Sequence, residues 1–134
     1  MSSIIKIEGI GDVYGAKLKA AGVSTVKSLL DKGATRDGRA QLEKATGITG
    51  ALILRWVNHA DLCRIKGIAW QFSELLEAAG VDSVPELSKR KPDNLHAKVS
   101  EVNAAKHLCG RTPTSKEVAS WIEQAKTLPR VVKH

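Results

Sequence analysis

Apolar positions recur along the 134-residue chain at the three-to-four-residue spacing of amphipathic helices, and no stretch sustains a period of two. The pattern predicts helices near residues 13–20, 25–32, 37–46, 50–64, 70–79, 84–89, 94–108 and 115–127, so the expected fold class is all-α. Helix punctuation supports these limits. Ser83-Val84-Pro85-Glu86 and Thr114-Ser115-Lys116-Glu117 fit a capping box, in which hydroxyl and carboxylate satisfy unpaired backbone N–H groups reciprocally. Gly22, Gly33, Gly47 and Gly80 stand where a helix C-terminus takes a left-handed residue. Pro92 and Pro129 fall just beyond or between the predicted helices. Connections this short require consecutive helices to meet in tight corners.

The pattern occurs twice. Shifting the chain by 58 residues places Ile7 on Ile65, Gly9 on Gly67, Ile10 on Ile68 and Leu18 on Leu76. The same shift carries Ala20-Ala21-Gly22-Val23 onto Ala78-Ala79-Gly80-Val81, Val26 onto Val84 and Leu29 onto Leu87. The matching residues are apolar or glycine, the types that burial and backbone geometry constrain. A weaker echo sets Trp56-Val57-Asn58-His59-Ala60 on Trp121-Ile122-Glu123-Gln124-Ala125 at a shift of 65. The extra residues are assigned to a loop around Arg111-Thr112-Pro113. Two tandem lobes are therefore expected, 1–64 and 65–134, joined into one helical unit.

Each repeat reads apolar-x-Gly-apolar-small, followed by an amphipathic helix that ends in Ala-Gly-Val. This pattern resembles the helix-hairpin-helix motif, and the lobes then correspond to SAM-like helical corners. Gly9-Ile10-Gly11 matches its Gly-apolar-Gly turn in full, with Ala16 and Leu18 on the following helix; Gly67-Ile68-Ala69 lacks the second glycine. With the repeated Ala-Ala-Gly-Val corner and the tryptophan segment, the chain resembles a family of small bacterial tandem helix-hairpin-helix proteins catalogued as a domain of unknown function. The resemblance covers nearly the whole chain and carries no activity with it.

In such a turn the central isoleucine plugs the core, while flanking glycines permit positive φ and close approach of the backbone. The next helix begins at once, so its unpaired N–H groups and positive dipole end face outward, ready for a phosphate oxygen. The wider motif implies sequence-nonspecific binding to the backbone of duplex DNA. On that reading Gly9, Gly11 and the amides that follow hold phosphate, flanked by Lys6, Lys17 and Lys19. Lys66 and Gly67 are the counterparts in the second copy. Asp12 opposes phosphate binding and is a candidate helix cap. Ala69, Trp70, Glu74 and Glu77 make the second turn the poorer of the two. The alternative is that the glycines only build tight corners.

The net charge of +7 favours polyanionic partners. Arg36, Arg39, Lys44 and Arg55 are candidates to extend a phosphate-facing stripe, whereas Lys89-Arg90-Lys91 reads as a solvated loop. Aromatic residues are 4% of the chain, too few for a base-stacking platform. Trp56 and Trp121 are expected as core anchors, and Tyr14 and Trp70 as the aromatics to test at an interface. The sequence contains no apolar run near membrane-spanning length and no signal-peptide layout, so a cytoplasmic protein is expected.

Cys63 and Cys109 lack Cys-x-x-Cys spacing, and their proximity in sequence to His59 and His107 fits no zinc motif. They are expected as small buried hydrophobes. No nucleophile–base pattern, paired-carboxylate pattern or nucleotide loop is present, so neither catalysis nor a cofactor nor a small-molecule substrate is expected. Two functions stand: a nonspecific duplex-DNA binder, and a protein–protein adaptor that binds no nucleic acid.

Overall fold

The computed structural model describes residues 10–134, and these contain eight helices and no strand. They are α1 (Gly11–Ala20), α2 (Val26–Gly33), α3 (Arg36–Thr46), α4 (Gly50–Leu62), α5 (Trp70–Ala78), α6 (Val84–Ser88), α7 (Pro92–Lys106) and α8 (Ser115–Thr127). None of them is long and apolar enough to cross a membrane. The all-α expectation holds, with helix ends shifted by at most a few residues. Pro92 does not separate helices but opens α7. Its ring fixes a helical φ, and the N–H it lacks would have had no partner in the first turn.

The chain forms two compact units, one running to Asp61 and including Val131–His134, the other Leu62–Arg130. The repeat is visible inside each. In the first unit the helix α1 ends with Gly22 N–H donating to Lys19 O (2.9 Å) and Val23 N–H to Leu18 O (2.8 Å). In the second, α5 ends with Gly80 N–H donating to Glu77 O (3.0 Å) and Val81 N–H to Leu76 O (2.8 Å). This paired closure needs a left-handed residue, and Gly22 and Gly80 supply it at φ +88° and +94°. The valine that follows each glycine is driven into the core.

Gly33 was expected to do the same, but it is not left-handed; it is the last residue of α2 and is buried against Val57. A methyl there would overlap the Val57 side chain, so close packing explains this glycine.

Hydroxyl caps start most of the remaining helices. Thr114 and Glu117 form the expected reciprocal box at α8. Ser83 accepts from Glu86 N–H (3.2 Å), but the Glu86 carboxylate turns to Arg90 at 3.4 Å, so only half of that box is made. At the equivalent corner of the first unit Thr25 and Ser28 complete a box with two hydroxyls.

The cores also correspond. Leu18, Val23 and Leu29 are buried in the first unit as Leu76, Val81 and Leu87 are in the second. Trp56 and Trp121 are both buried anchors, as expected. Within the first unit α1 and α2 pack on α3; within the second α5 packs on α7, and α6 and α7 on α8. The second core gathers Leu62, Ile65, Leu95, Val99, Val118 and Ile122 around Trp121.

Candidate nucleic-acid interface

The glycine-bracketed corners are where a phosphate would be held, and the two differ. Lys6 and Gly9 lie outside the described residues. Gly11 begins α1 at φ +63°, and a Cβ placed on it would meet no atom of the described residues within 4 Å. The preceding Ile10 is buried and provides no side-chain cap. The first amides of α1 thus receive no side-chain cap from the N-cap residue. Asp12 is not that cap. It lies in the first turn and is exposed, where its charge suits the positive helix end and opposes an incoming phosphate.

Lys17 and Lys19 occupy the last turn of α1, about 9 and 12 Å along the axis from Gly11 at helical rise. Both are exposed and complement the negative end of the helix. The structure therefore does not gather them around the Gly11 amides. Between corner and lysines stand Val13, 70% exposed, and Tyr14, 36% exposed, which are the exposed large hydrophobics among the described residues. The Tyr14 ring rests edge-on against Trp56, with centroids 5.4 Å apart.

The second corner is engaged by the protein itself. Lys66 N–H donates to Gln124 Oε1 (2.9 Å), and Gln124 Nε2–H donates to Lys66 O (3.1 Å), so one side-chain amide clips both sides of Lys66. Ile68 N–H donates to Ile65 O (3.1 Å). Gly67, at φ +97°, faces the Trp121 indole, where a Cβ would lie 3.0 Å from Nε1. Lys66 and Gly67 are exposed, but the donors around them are partly taken and the glycine has a packing reason. Ala69 is the extended N-cap of α5, without a side-chain cap, and Trp70 is half-buried as its first helical residue.

One member of the expected basic stripe does not face outward. Arg39 is buried and donates from Nη1 to Gly33 O and from Nη2 to Lys133 O, both at 2.8 Å. Burial, then the neighbouring Arg36 charge, lowers its pKa from the ordinary arginine value. Arg36 itself donates to His134 O. Arg36, Lys44 and Arg55 are exposed, so of the four only Arg39 is withdrawn from the surface. In the basic run Lys89 is the C-cap residue of α6, and Lys91 stands at the N-cap position of α7 without a side-chain cap bond. Arg90 donates to Gly80 O (3.1 Å), so a residue read as loop decoration helps close the α5 corner.

The thiols are structural in setting. Burial pushes Cys63 up to about 11, with a hydrogen bond from Ser73 acting weakly the other way. Cys109 donates from Sγ to Gln71 O (3.3 Å), and burial and then Glu74 raise its pKa. His107 ends α7 in the left-handed region, φ +52°. Among the described residues no three His, Cys, Asp or Glu side chains are grouped to hold an ion.

Two features lay beyond sequence reasoning. Arg111 stacks over the Phe72 ring (5.1 Å to the centroid) while pairing both its Nη groups with Glu117 at 2.7 and 2.8 Å. Asn103, buried, holds the same loop by accepting from Cys109 N–H (2.9 Å) and donating to Cys109 O (3.2 Å). The loop was located by the change in repeat shift, but nothing in its spacing announced the stack. The second feature is the Val131–His134 segment, whose residues carry no motif.

Residues 8–128 match the model of a family described as a domain of unknown function (DUF4332). No curated protein and no solved structure matches the chain.

Proposed function

Because the chain belongs to the DUF4332 family, whose description gives no activity, its role has to come from its own residues, and we propose that it is a non-enzymatic, sequence-nonspecific binder of duplex DNA. On this reading the repeats are helix-hairpin-helix elements and the first is the working one. The supporting observation is the Gly11 corner: a positive-φ glycine with no atom of the described residues within 4 Å of an added Cβ, at the start of a helix whose N-cap residue offers no side-chain oxygen. Gly9, Gly11 and the next amides receive a phosphate oxygen, with Lys6 beside them. Lys17 and Lys19 contribute longer-range attraction, as does the net charge of +7. The second corner, already bonded to Gln124, serves architecture. A cytoplasmic location belongs to the same proposal.

Fluorescence anisotropy with duplex DNA, single-stranded DNA and RNA at two salt concentrations tests this reading. Duplex binding should weaken with salt at a slope of about −0.9 per phosphate neutralised, with little sequence preference. Gly11→Glu should abolish it. Unchanged affinity in Gly11→Glu would overturn the assignment.

Exposure of Val13 and Tyr14 beside the corner favours a second reading, a protein–protein adaptor using the same end of α1. Loss of a captured protein partner in Val13→Asp, with duplex affinity absent in the unmodified chain, would select it.

A further inference from the structure

Val131–His134 belong to the first unit although Leu62–Arg130 intervene in sequence, so noncovalent contacts hold them there. The contacts form a docking arrangement. Val132 is buried to 2% exposure as an apolar anchor. Lys133 is read through its backbone: its N–H donates to Ala34 O (2.7 Å), and its carbonyl accepts from Arg39 Nη2 (2.8 Å). Beyond it His134 O accepts from Arg36, and His134 Nε2 meets Oδ1 of the buried Asn58 at 2.9 Å. A segment outside regular secondary structure is thus gripped through its backbone and one buried apolar side chain, a general mode of peptide recognition.

We propose that this face of α2, α3 and α4 is a docking groove for a short peptide segment, and that Val131–His134 of a second copy can replace the chain's own, so that copies associate by exchanging it. Two arguments carry the step. An empty groove leaves the buried Arg39 guanidinium without its Lys133 acceptor and Ala34 O without its donor, so vacancy is costly and the groove refills. A second copy presents identical chemistry, which the groove has no means of distinguishing from its own. Tethering favours the chain's own segment at low concentration, and exchange grows as copies are concentrated. The inference is independent of the DNA-binding reading.

The test uses the full chain with Val132→Asp, which removes the anchor, and Lys133→Pro, which removes the N–H donor. A dye-labelled peptide of residues 128–134 should bind each variant saturably, about tenfold or more tighter than it binds the unmodified chain, whose groove is filled. The same peptide carrying Val132→Asp should not bind. If a variant unfolds, recovery of its helical circular dichroism on adding the peptide supports the groove, and no recovery overturns it. A folded variant that ignores the peptide also overturns it. In sedimentation, the unmodified chain should form dimers with rising concentration, while Val132→Asp stays monomeric. Peptide binding together with a strictly monomeric unmodified chain would retain the groove and overturn the exchange.

Discussion

Phe72 lies against Trp121 with ring centroids 5.3 Å apart and planes tilted by 49°. The first unit repeats the relationship as Tyr14 against Trp56, at 5.4 Å. Phe72 follows Tyr14 by 58 residues and Trp121 follows Trp56 by 65, so the pair survives a change of repeat shift. What the duplication preserves is a contact rather than a spacing. The pairs differ in cover, since Arg111 stacks on Phe72 while Tyr14 is exposed.

Trp121 is buried to 1% exposure at the centre of the second core. Trp121→Ala should cost about 3–5 kcal/mol of stability in urea unfolding, the usual range for a large aromatic removed from a core. Tyr14→Ala should cost clearly less, because part of that ring already faces solvent.

The glycines of the two corners should respond unequally to the same change. At Gly11 a methyl group meets no atom of the described residues, so Gly11→Ala should cost the left-handed backbone penalty, about 1–2 kcal/mol. At Gly67 the backbone penalty is joined by a Cβ 3.0 Å from Trp121 Nε1, so Gly67→Ala should be more destabilising and should perturb tryptophan fluorescence. Chemical denaturation of the two variants side by side, with equal losses as the contrary result, checks this.

Removing the clip on Lys66 should be measurable by itself. Gln124→Leu deletes both bonds to the Lys66 backbone, and a loss of about 1–3 kcal/mol is expected. Hydrogen exchange at the Lys66 amide should speed up in the variant. An unchanged exchange rate would show that the clip does not protect the second corner.

The hydrogen bond to Arg111, then that to the Thr114 backbone, holds Glu117 down to about 2 from an ordinary 4.5. A depressed carboxyl stabilises the fold fully above its unfolded pKa, and this contribution is lost as pH falls from about 4.5 through 2. Carboxyl NMR should titrate Glu117 near 2, and Glu117→Gln should remove that part of the acid dependence.

Cys63 shows the opposite sign. Its thiol is raised from 9.0 to about 11, so the folded state keeps a proton that the unfolded chain releases. The stability tied to it is complete below about pH 9 and declines as pH rises through 11. At neutral pH the thiolate fraction is about a hundredfold lower than in the unfolded chain, so a disulfide reagent should label native Cys63 correspondingly more slowly.

The sequence determined a good deal of this protein. Apolar spacing, corner glycines and hydroxyl caps specified eight helices and a repeated corner, because each acts within a turn or two of chain where the partner is always present. Gly22 and Gly80 are legible for that reason, as are Thr114 and Glu117. Features that depend on what arrives from elsewhere were decided only by the tertiary structure. Gly33 reads like a C-cap, but it is small because Val57 presses on it. Arg36 and Arg39 read as a phosphate stripe, but they hold Val131–His134. Lys66 reads as a phosphate neighbour, but Gln124 bonds its backbone. Guanidiniums and peptide groups take whichever acceptor or donor the fold brings within reach, and residue type alone does not specify which one comes.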